Sequence, residues 1–373
     1  MQRVVVFCFD NVNALGLVRC LGEAGYKPEC YCYGEETEYI LSSRYISKGI
    51  GFKTKEDCFS FLLDEYPIYE EKPVLLTIPD YPAYMVDSHL DHLKKKFIVM
   101  NAGETGGVIH WMNKKNIGDL AQKHNLTIPW TIELSKNDDI PENIEYPVFT
   151  KSIRTADGGK CDESICRNRE ELKSRMKTLT SNKFLVMKYI QKKKEVNFFG
   201  IAIKGHVYIN YCDERTRLPK DGYGHYNTCK KITNDNLYKN MVSMIQETGY
   251  EGLFDVEFLE GNDSVLYFME VNFRVDGTVY RLTPGINLPA EWCRLVNLPD
   301  SELPDSLNGK KECFSGMNEY SDFKASVLGG LVNPFVWFVQ FIMADKRMLV
   351  NLMDPKPMFV KTFYRVIRKL HHD

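Results

Sequence analysis

Three carboxylates and one amide crowd one face of a hairpin read from the stretch Gly252–Arg274, GLFDVEFLEGNDSVLYFMEVNFR. Two runs, Leu253–Glu260 and Ser264–Phe273, are rich in strand-forming residues and flank Gly261-Asn262-Asp263, which is turn chemistry. Side chains alternate along a strand, so Asp255 and Glu257 share one face while Phe254, Val256 and Phe258 share the other. On the return run Glu270 and Asn272 lie together, opposite in facing to Tyr267, Met269, Val271 and Phe273. A turn centred on Asn262-Asp263 predicts Asp255 across from Glu270, with Glu257 on the diagonal. Carboxylates held that close repel one another, and hard oxygen ligands at such density suit Mg²⁺ bridging phosphates. An ion-paired surface hairpin, with Arg274 and nearby lysines as partners, would carry the same residues.

The chain that must position this hairpin has 373 residues, enough for two or three domains. Its 44% hydrophobic and 26% charged residues are those of a globular protein, and a net charge of −2 gives no argument for nucleic acid. The opening MQRVVVFCFDNVN has too short an apolar run for a signal peptide. Eleven cysteines without an export signal read as reduced thiols, several of them in strands (Cys8, Cys30, Cys32) as small hydrophobes. No CxxC pair occurs to hold a structural zinc. The expected location is cytoplasmic.

Arg3–Phe9 is a continuous apolar run, as in a strand buried on both faces. Helical spacing follows over Ala14–Glu23, then a strand at Glu29–Tyr33, a helix at Glu56–Glu65, a strand at Val74–Ile78, a helix around Tyr84–Lys95 and a strand at Phe97–Met100. Such alternation implies a parallel sheet wrapped by helices. The first turn, Asp10–Gly16, lacks GxGxxG, which disfavours a dinucleotide site. Asn11 and Asn13 are candidate ligand contacts at a strand's C-terminal end, or Asn13 caps the helix.

Asn113 is placed to cap a helix over Lys114–His124. Tyr146–Lys151 reads as a short strand leading into a loop with Gly158-Gly159 and the cations Lys151, Arg154 and Lys160, which suits phosphates but also an ordinary basic turn. A helix at Arg169–Leu179 and a strand at Phe184–Tyr189 come next. Lys194–Ile203 and His206–Asp213 form a hairpin around Lys204-Gly205. Glu214–Thr228 has no periodicity, and a loop of that length points to function or disorder. Helices are expected at Asp235–Thr248 and Ala290–Leu295. From Ala325 to Ala344 no charge occurs, yet Asn333-Pro334, Gln340 and Gly329-Gly330 interrupt the run and mean hydropathy is −0.32. A membrane span, a membrane-surface segment and packing against the body all fit, and the basic stretch Lys361–His372 follows.

The order of these features resembles the ATP-grasp superfamily, particularly its carboxylate–amine ligases. The resemblance covers roughly residues 1–300 and rests on NALGLVRCLGEAGY, MNKK then IPWT, PVFTK with GGK, LVMKYI with Glu195, FDVEF, MEVNFR and GINLP. It implies an α/β and α+β chain. An N-terminal parallel α/β domain (1–110) would precede a two-part ATP-grasp domain, small (111–192) with a phosphate lid and large (193–300) with the metal hairpin. A C-terminal extension (301–373) would follow. By the same resemblance Lys114 (or its neighbour Lys115) and Lys151 would reach the nucleotide phosphates, and Gly158-Gly159 would be the lid. Met187, Lys188, Tyr189 and Ile190 would be the hinge that reads adenine, although the family often has Glu at the Met187 or Lys188 position. Glu195 would accept the ribose hydroxyls, or simply pair with Lys192 or Lys193. Glu257, Glu270 and Asn272 match the magnesium ligands, with Asp255 behind them, and Arg274 matches the arginine that stabilises the transferring group, unless it only neutralises Asp276 or the hairpin.

The implied enzyme is an ATP- and Mg²⁺-dependent ligase (Mn²⁺ the alternative ion) that joins a small-molecule carboxylate, of an amino acid or sugar acid, to an amine through an acyl phosphate. Arg215, Arg217 and Arg281 are candidates for holding the substrate carboxylate. The implied partners are small molecules, a second copy of the chain and, through the C-terminal segment, a membrane surface. Two readings compete: a non-catalytic nucleotide-binding sensor on the same fold, and a nicotinamide dehydrogenase, which the missing glycines disfavour.

Overall fold

A computed structural model describes residues 2–153, 159–217, 219, 224–232 and 235–370. The first five strands are β1 (Val4–Phe9), β2 (Glu29–Tyr33), β3 (Lys48–Phe52), β4 (Val74–Ile78) and β5 (Ile98–Val99). They form a parallel sheet in the order β3-β2-β1-β4-β5. Val4 to Cys8 are buried, as a run apolar on both faces requires. The helix after β1 spans Val12–Glu23, and its cap is Asn11, whose Oδ1 accepts from the Ala14 N–H at 3.0 Å. Asn13, expected as the cap, sits inside the first turn because the helix begins two residues earlier. Strand β3 was not legible: its KGIGF sequence lies largely exposed at the sheet edge. Gly51 lets the short helix Thr37–Leu41 lie against that edge, since a Cβ there would meet Thr37 Oγ1 at 2.4 Å.

The next four strands, β6 (Thr131–Ser135), β7 (Val148–Ser152), β8 (Ser164–Cys166) and β9 (Lys183–Lys188), make an antiparallel sheet in the order β6-β9-β7-β8. β7 starts later than expected because Pro147 has no N–H for a ladder.

The largest sheet has β10 (Lys192–Ile203), β11 (His206–Arg215), β12 (Tyr226–Lys231), β13 (Gly252–Gly261), β14 (Leu266–Asn272), β15 (Cys313–Met317) and β16 (Lys346–Arg347). Their order is β14-β13-β10-β11-β12-β15-β16. The β10–β11 turn has positive φ at Lys204 (48°) and Gly205 (78°), the geometry of a tight hairpin. β12 lies partly inside the stretch expected to be irregular; its sequence YNTCKK has no apolar alternation to announce it. Strands β15 and β16 come from the segment expected as a separate extension.

The β13–β14 hairpin has a different register from the one expected. Asp255 pairs with Asn272, and Glu257 faces Glu270 directly. The tip is one residue longer, with Ser264 at φ 60°, and a bulge between Glu257 and Phe258 adds another. A two-residue slip preserves side-chain parity, so the acidic face survives while its partners change.

The charge-free run breaks into a turn at Phe323–Val327 and a helix at Pro334–Met343 capped by Asn333, whose Oδ1 accepts from the Phe335 N–H at 2.8 Å. Among the described residues no helix is long and apolar enough to cross a membrane. A final helix, Lys356–Leu370, follows. The chain's two ends are tied by Arg19 and Asp354, both side chains fully buried, with Nε to Oδ2 at 3.0 Å.

Candidate functional site

A cavity of about 450 Å³ opens where the three sheets meet. The hairpin supplies Glu257, Glu270 and Asn272, and the residue two beyond supplies Arg274. Lys114 comes from the first turn of the helix Lys114–Lys123, held by its Asn113 cap. Lys151 comes from β7, Glu195 from β10 and Arg215 from β11. Lys114 Nζ lies 3.2 Å from Glu270 Oε2, and Lys151 Nζ lies 3.8 Å from the same oxygen. Lys115, the adjacent alternative, turns to Asp119 at 3.3 Å on the helix surface. Asn272 Nδ2 donates to Glu257 Oε1 at 2.8 Å and to Asp255 Oδ2 at 3.1 Å.

Burial first, and then the neighbouring charges, set the protonation of the carboxylates. Burial and then the Glu270 charge push the Glu257 carboxyl up to about 7. Burial and Asp276 push Asp255 well above the usual range. Burial opposes the Glu270 charge as well, but Lys114 and Lys151 outweigh it and hold that carboxyl low. Burial lowers Lys151 despite the Glu270 charge. Arg274 Nε donates to Asp80 Oδ1 at 2.6 Å, and Nη1 to Asp255 Oδ1 at 3.2 Å and to Asp276 Oδ2 at 3.3 Å. Burial works against that cation, and the three carboxylates more than offset it.

Among the described residues no three His, Cys, Asp or Glu side chains converge as a metal site. The donor set here is two carboxylates and an amide. Glu257 and Glu270 face each other across the hairpin, and the repulsion that raises Glu257 is what a divalent cation would relieve. The residues present therefore fit a hard cation.

The remaining expected positions divide. Gly158 lies outside the described residues; Gly159 begins a short 3-10 turn, Gly159–Asp162. Met187 and Lys188 end β9, and Tyr189 and Ile190 follow. The N–H groups of Lys188 and Tyr189 donate to the carbonyls of Trp130 (2.8 Å) and Pro147 (3.2 Å). Glu195 Oε1 is 2.5 Å from Lys192 Nζ, and Oε2 is 3.7 Å from Arg215, so it is ion-paired at the cavity wall. Of the three arginines, only Arg215 lines the cavity; its Nε also donates to Asp213 at 3.0 Å. Arg217 turns away to Asp322 and Gln340, and Arg281 is buried against Thr278 at 2.9 Å. Asp80 was missed. It opens the helix Asp80–Ser88 at the C-terminal end of β4, where open α/β sheets place their sites, and that position was its one available signal.

The fold, a parallel sheet beside an antiparallel sheet and a largely antiparallel one around a charged cavity, is that of an α/β protein with two further sheets. Residues 119–280 match the ATP-grasp domain family, and the chain carries an ATP-grasp domain over that segment. Among solved structures it is similar to the N5-carboxyaminoimidazole synthetase of Staphylococcus aureus, at TM-score 0.65 and 14% identity over 89% of this chain and 86% of that one. The L-amino acid ligase of Bacillus licheniformis superposes at TM-score 0.63 with 14% identity, covering 84% and 79%. The biotin carboxylase domain of the Hydrogenobacter thermophilus 2-oxoglutarate carboxylase, a dimer in complex with MgADP, ADP and bicarbonate, does so at 0.61 with 17% identity, covering 79% and 69%. At these identities the likeness is one of fold. No curated protein sequence matches the chain.

Proposed function

We propose that this chain is an ATP- and Mg²⁺-dependent ligase that joins a carboxylate, of an amino acid or sugar acid, to an amine. The observation that carries the reading is Glu270 held between Lys114 (3.2 Å) and Lys151 (3.8 Å) while facing Glu257, with Arg274 in the same cavity. Phosphoryl transfer needs positioning and neutralisation of charge more than covalent help, and no nucleophilic side chain is required. The substrate carboxylate oxygen bonds to the γ-phosphorus as the bond to the ADP oxygen breaks. The amine then bonds to the acyl carbon, phosphate leaves, and the amine's proton passes to solvent.

Glu257, Glu270 and Asn272 would hold the metal, and bound magnesium supplies charge neutralisation across the phosphate oxygens. Lys114 would meet those oxygens from a helix and Lys151 from a strand, Glu195 the ribose, and the turn Met187–Ile190 the base. At that turn the N–H groups of Lys188 and Tyr189 are already taken, leaving carbonyl oxygens and the chain beyond Tyr189 for recognition. Arg274 would steady the oxyanion of the tetrahedral intermediate with a fork that Asp80 and Asp255 orient. Arg215, which lines the cavity wall, would meet a substrate carboxylate. Release of ADP and phosphate, assayed over a panel of amino acids and sugar acids crossed with amines, tests the proposal. Nucleotide-dependent thermal stabilisation with no phosphate release under any pair would instead support a non-catalytic nucleotide sensor.

A further inference from the structure

Among the described residues, fifteen of the twenty exposed large hydrophobic side chains lie between Tyr320 and Val366. Both helices of this region are built inside out. In Pro334–Met343 the outward residues are Phe335, Val336, Phe338, Val339, Ile342 and Met343. Its polar atoms point at the protein instead: Trp337 Nε1 donates to Asp322 at 2.8 Å and Gln340 meets Arg217. In Lys356–Leu370 the exposed positions Phe359, Thr362, Phe363 and Val366 fall at helical spacing on one face. Two of its polar side chains turn inward, with Lys361 Nζ to Glu36 at 2.6 Å and the Tyr364 hydroxyl to Glu38 at 2.7 Å. The two helices flank one turn. Phe323 meets Trp337 edge-on at 5.0 Å, and Arg365 lies 3.4 Å over the Tyr320 ring.

Charge selects the occupant of this surface. The four carboxylates between 319 and 370 are withdrawn: Glu319, Asp322 and Asp354 are buried, and Asp345 is paired with Lys311 at 2.5 Å. Lys324 and Lys356 are exposed beside the apolar faces. We propose that this surface docks the protein on an anionic lipid bilayer, lying in the interface without crossing it. Ten residues of helix span about 15 Å, half of the roughly 30 Å hydrocarbon layer. An apolar face with cations and no unpaired exposed carboxylate is what a headgroup boundary attracts. A protein partner would meet a patch whose exposed hydrogen-bonding side chains are chiefly the hydroxyls of Tyr320 and Thr362 and the two lysines, against about one bond per 100–200 Å² in protein interfaces. In a two-fold contact a second copy would present the same patch, whose four carboxylates are buried or already paired, so it would offer Lys324 and Lys356 no free counter-charge.

The test is co-sedimentation of the full chain with phosphatidylglycerol-containing and pure phosphatidylcholine vesicles. Salt-sensitive binding to the anionic vesicles is expected. The triple variant Phe335→Asp, Phe338→Asp, Ile342→Asp should lower partition at least about a hundredfold. The double variant Lys324→Glu, Lys356→Glu should lower it roughly twentyfold. Phosphatidylcholine vesicles bound as well as anionic ones would overturn the anionic assignment, and no binding to either would overturn the proposal. So would a dimer that the triple variant dissociates, since a second copy would then cover the face. If the triple variant does not fold, the salt dependence of the unaltered chain and the lysine variant decide the matter.

Discussion

Arg19 and Asp354 are fully buried and satisfy each other, whereas the buried carboxylates of the cavity crowd their own kind. Around Arg19 every group has an opposite: Nε meets Asp354 Oδ2 at 3.0 Å, Nη1 the Met348 carbonyl at 2.6 Å and Nη2 the Asp354 carbonyl at 2.9 Å. The Asp354 oxygens also accept from the Ser43 hydroxyl at 2.9 Å and the Arg44 N–H at 3.0 Å. At the cavity Glu257 faces Glu270, and Asp255 lies close enough to Asp276 to be pushed up by it. A matched pair is a structural device. A set in which like charges also face one another costs stability in the folded chain. Its lysines and Arg274 offset that cost in part and a bound cation would relieve it further, so the two regions should respond differently to mutation.

The sharpest break of that contrast is Glu270→Ala. Nucleotide-dependent phosphate release should fall at least about a thousandfold, with a melting temperature close to that of the unaltered protein, measured by paired turnover and thermal-shift assays. Arg19→Met leaves Asp354 buried and unpaired. It should cost about 3–5 kcal/mol in urea unfolding, with turnover per folded molecule unchanged. Asp80→Asn weakens one charged hydrogen bond to Arg274 and should lower kcat by about tenfold to a hundredfold, leaving nucleotide affinity intact.

The pH dependence follows from Glu257. Its folded pKa of about 7 lies above the ordinary 4.5, so the folded state holds the proton more tightly. The resulting stability is fully present below about 4.5 and is lost as pH rises through 7. The melting temperature of the free protein should decline across that window, and added Mg²⁺ with nucleotide should flatten the decline. Smallest of all, Lys115→Ala removes a surface pair with Asp119 and should change stability by less than about 0.5 kcal/mol. Its turnover should match the unaltered protein, in contrast to Lys114→Ala.

Elements buried on both faces were read closely from sequence, β2 and β4 to the residue, because long apolar runs leave little choice. The edge strand β3 and the interior strand β12 were not, since half-exposed polar or glycine-rich runs carry no period. The acidic face of the hairpin was legible because parity survives a two-residue slip. Its pairing was not, because neither the Ser264 conformation nor the bulge has a sequence signature. Arg217 and Arg281 looked equivalent to Arg215 in sequence. Tertiary partners over a hundred residues away in Arg217's case, at Asp322 and Gln340, separate them.

The Arg19–Asp354 contact joins residues 335 positions apart. At about 5–20 residues per second of synthesis, the arginine waits roughly 20 to 70 seconds for its partner. Throughout that interval the first helix cannot pair its buried arginine, so a helix among the earliest to be made is among the last to be locked in place. Nascent chains stalled before Asp354 should therefore remain protease-sensitive at that helix.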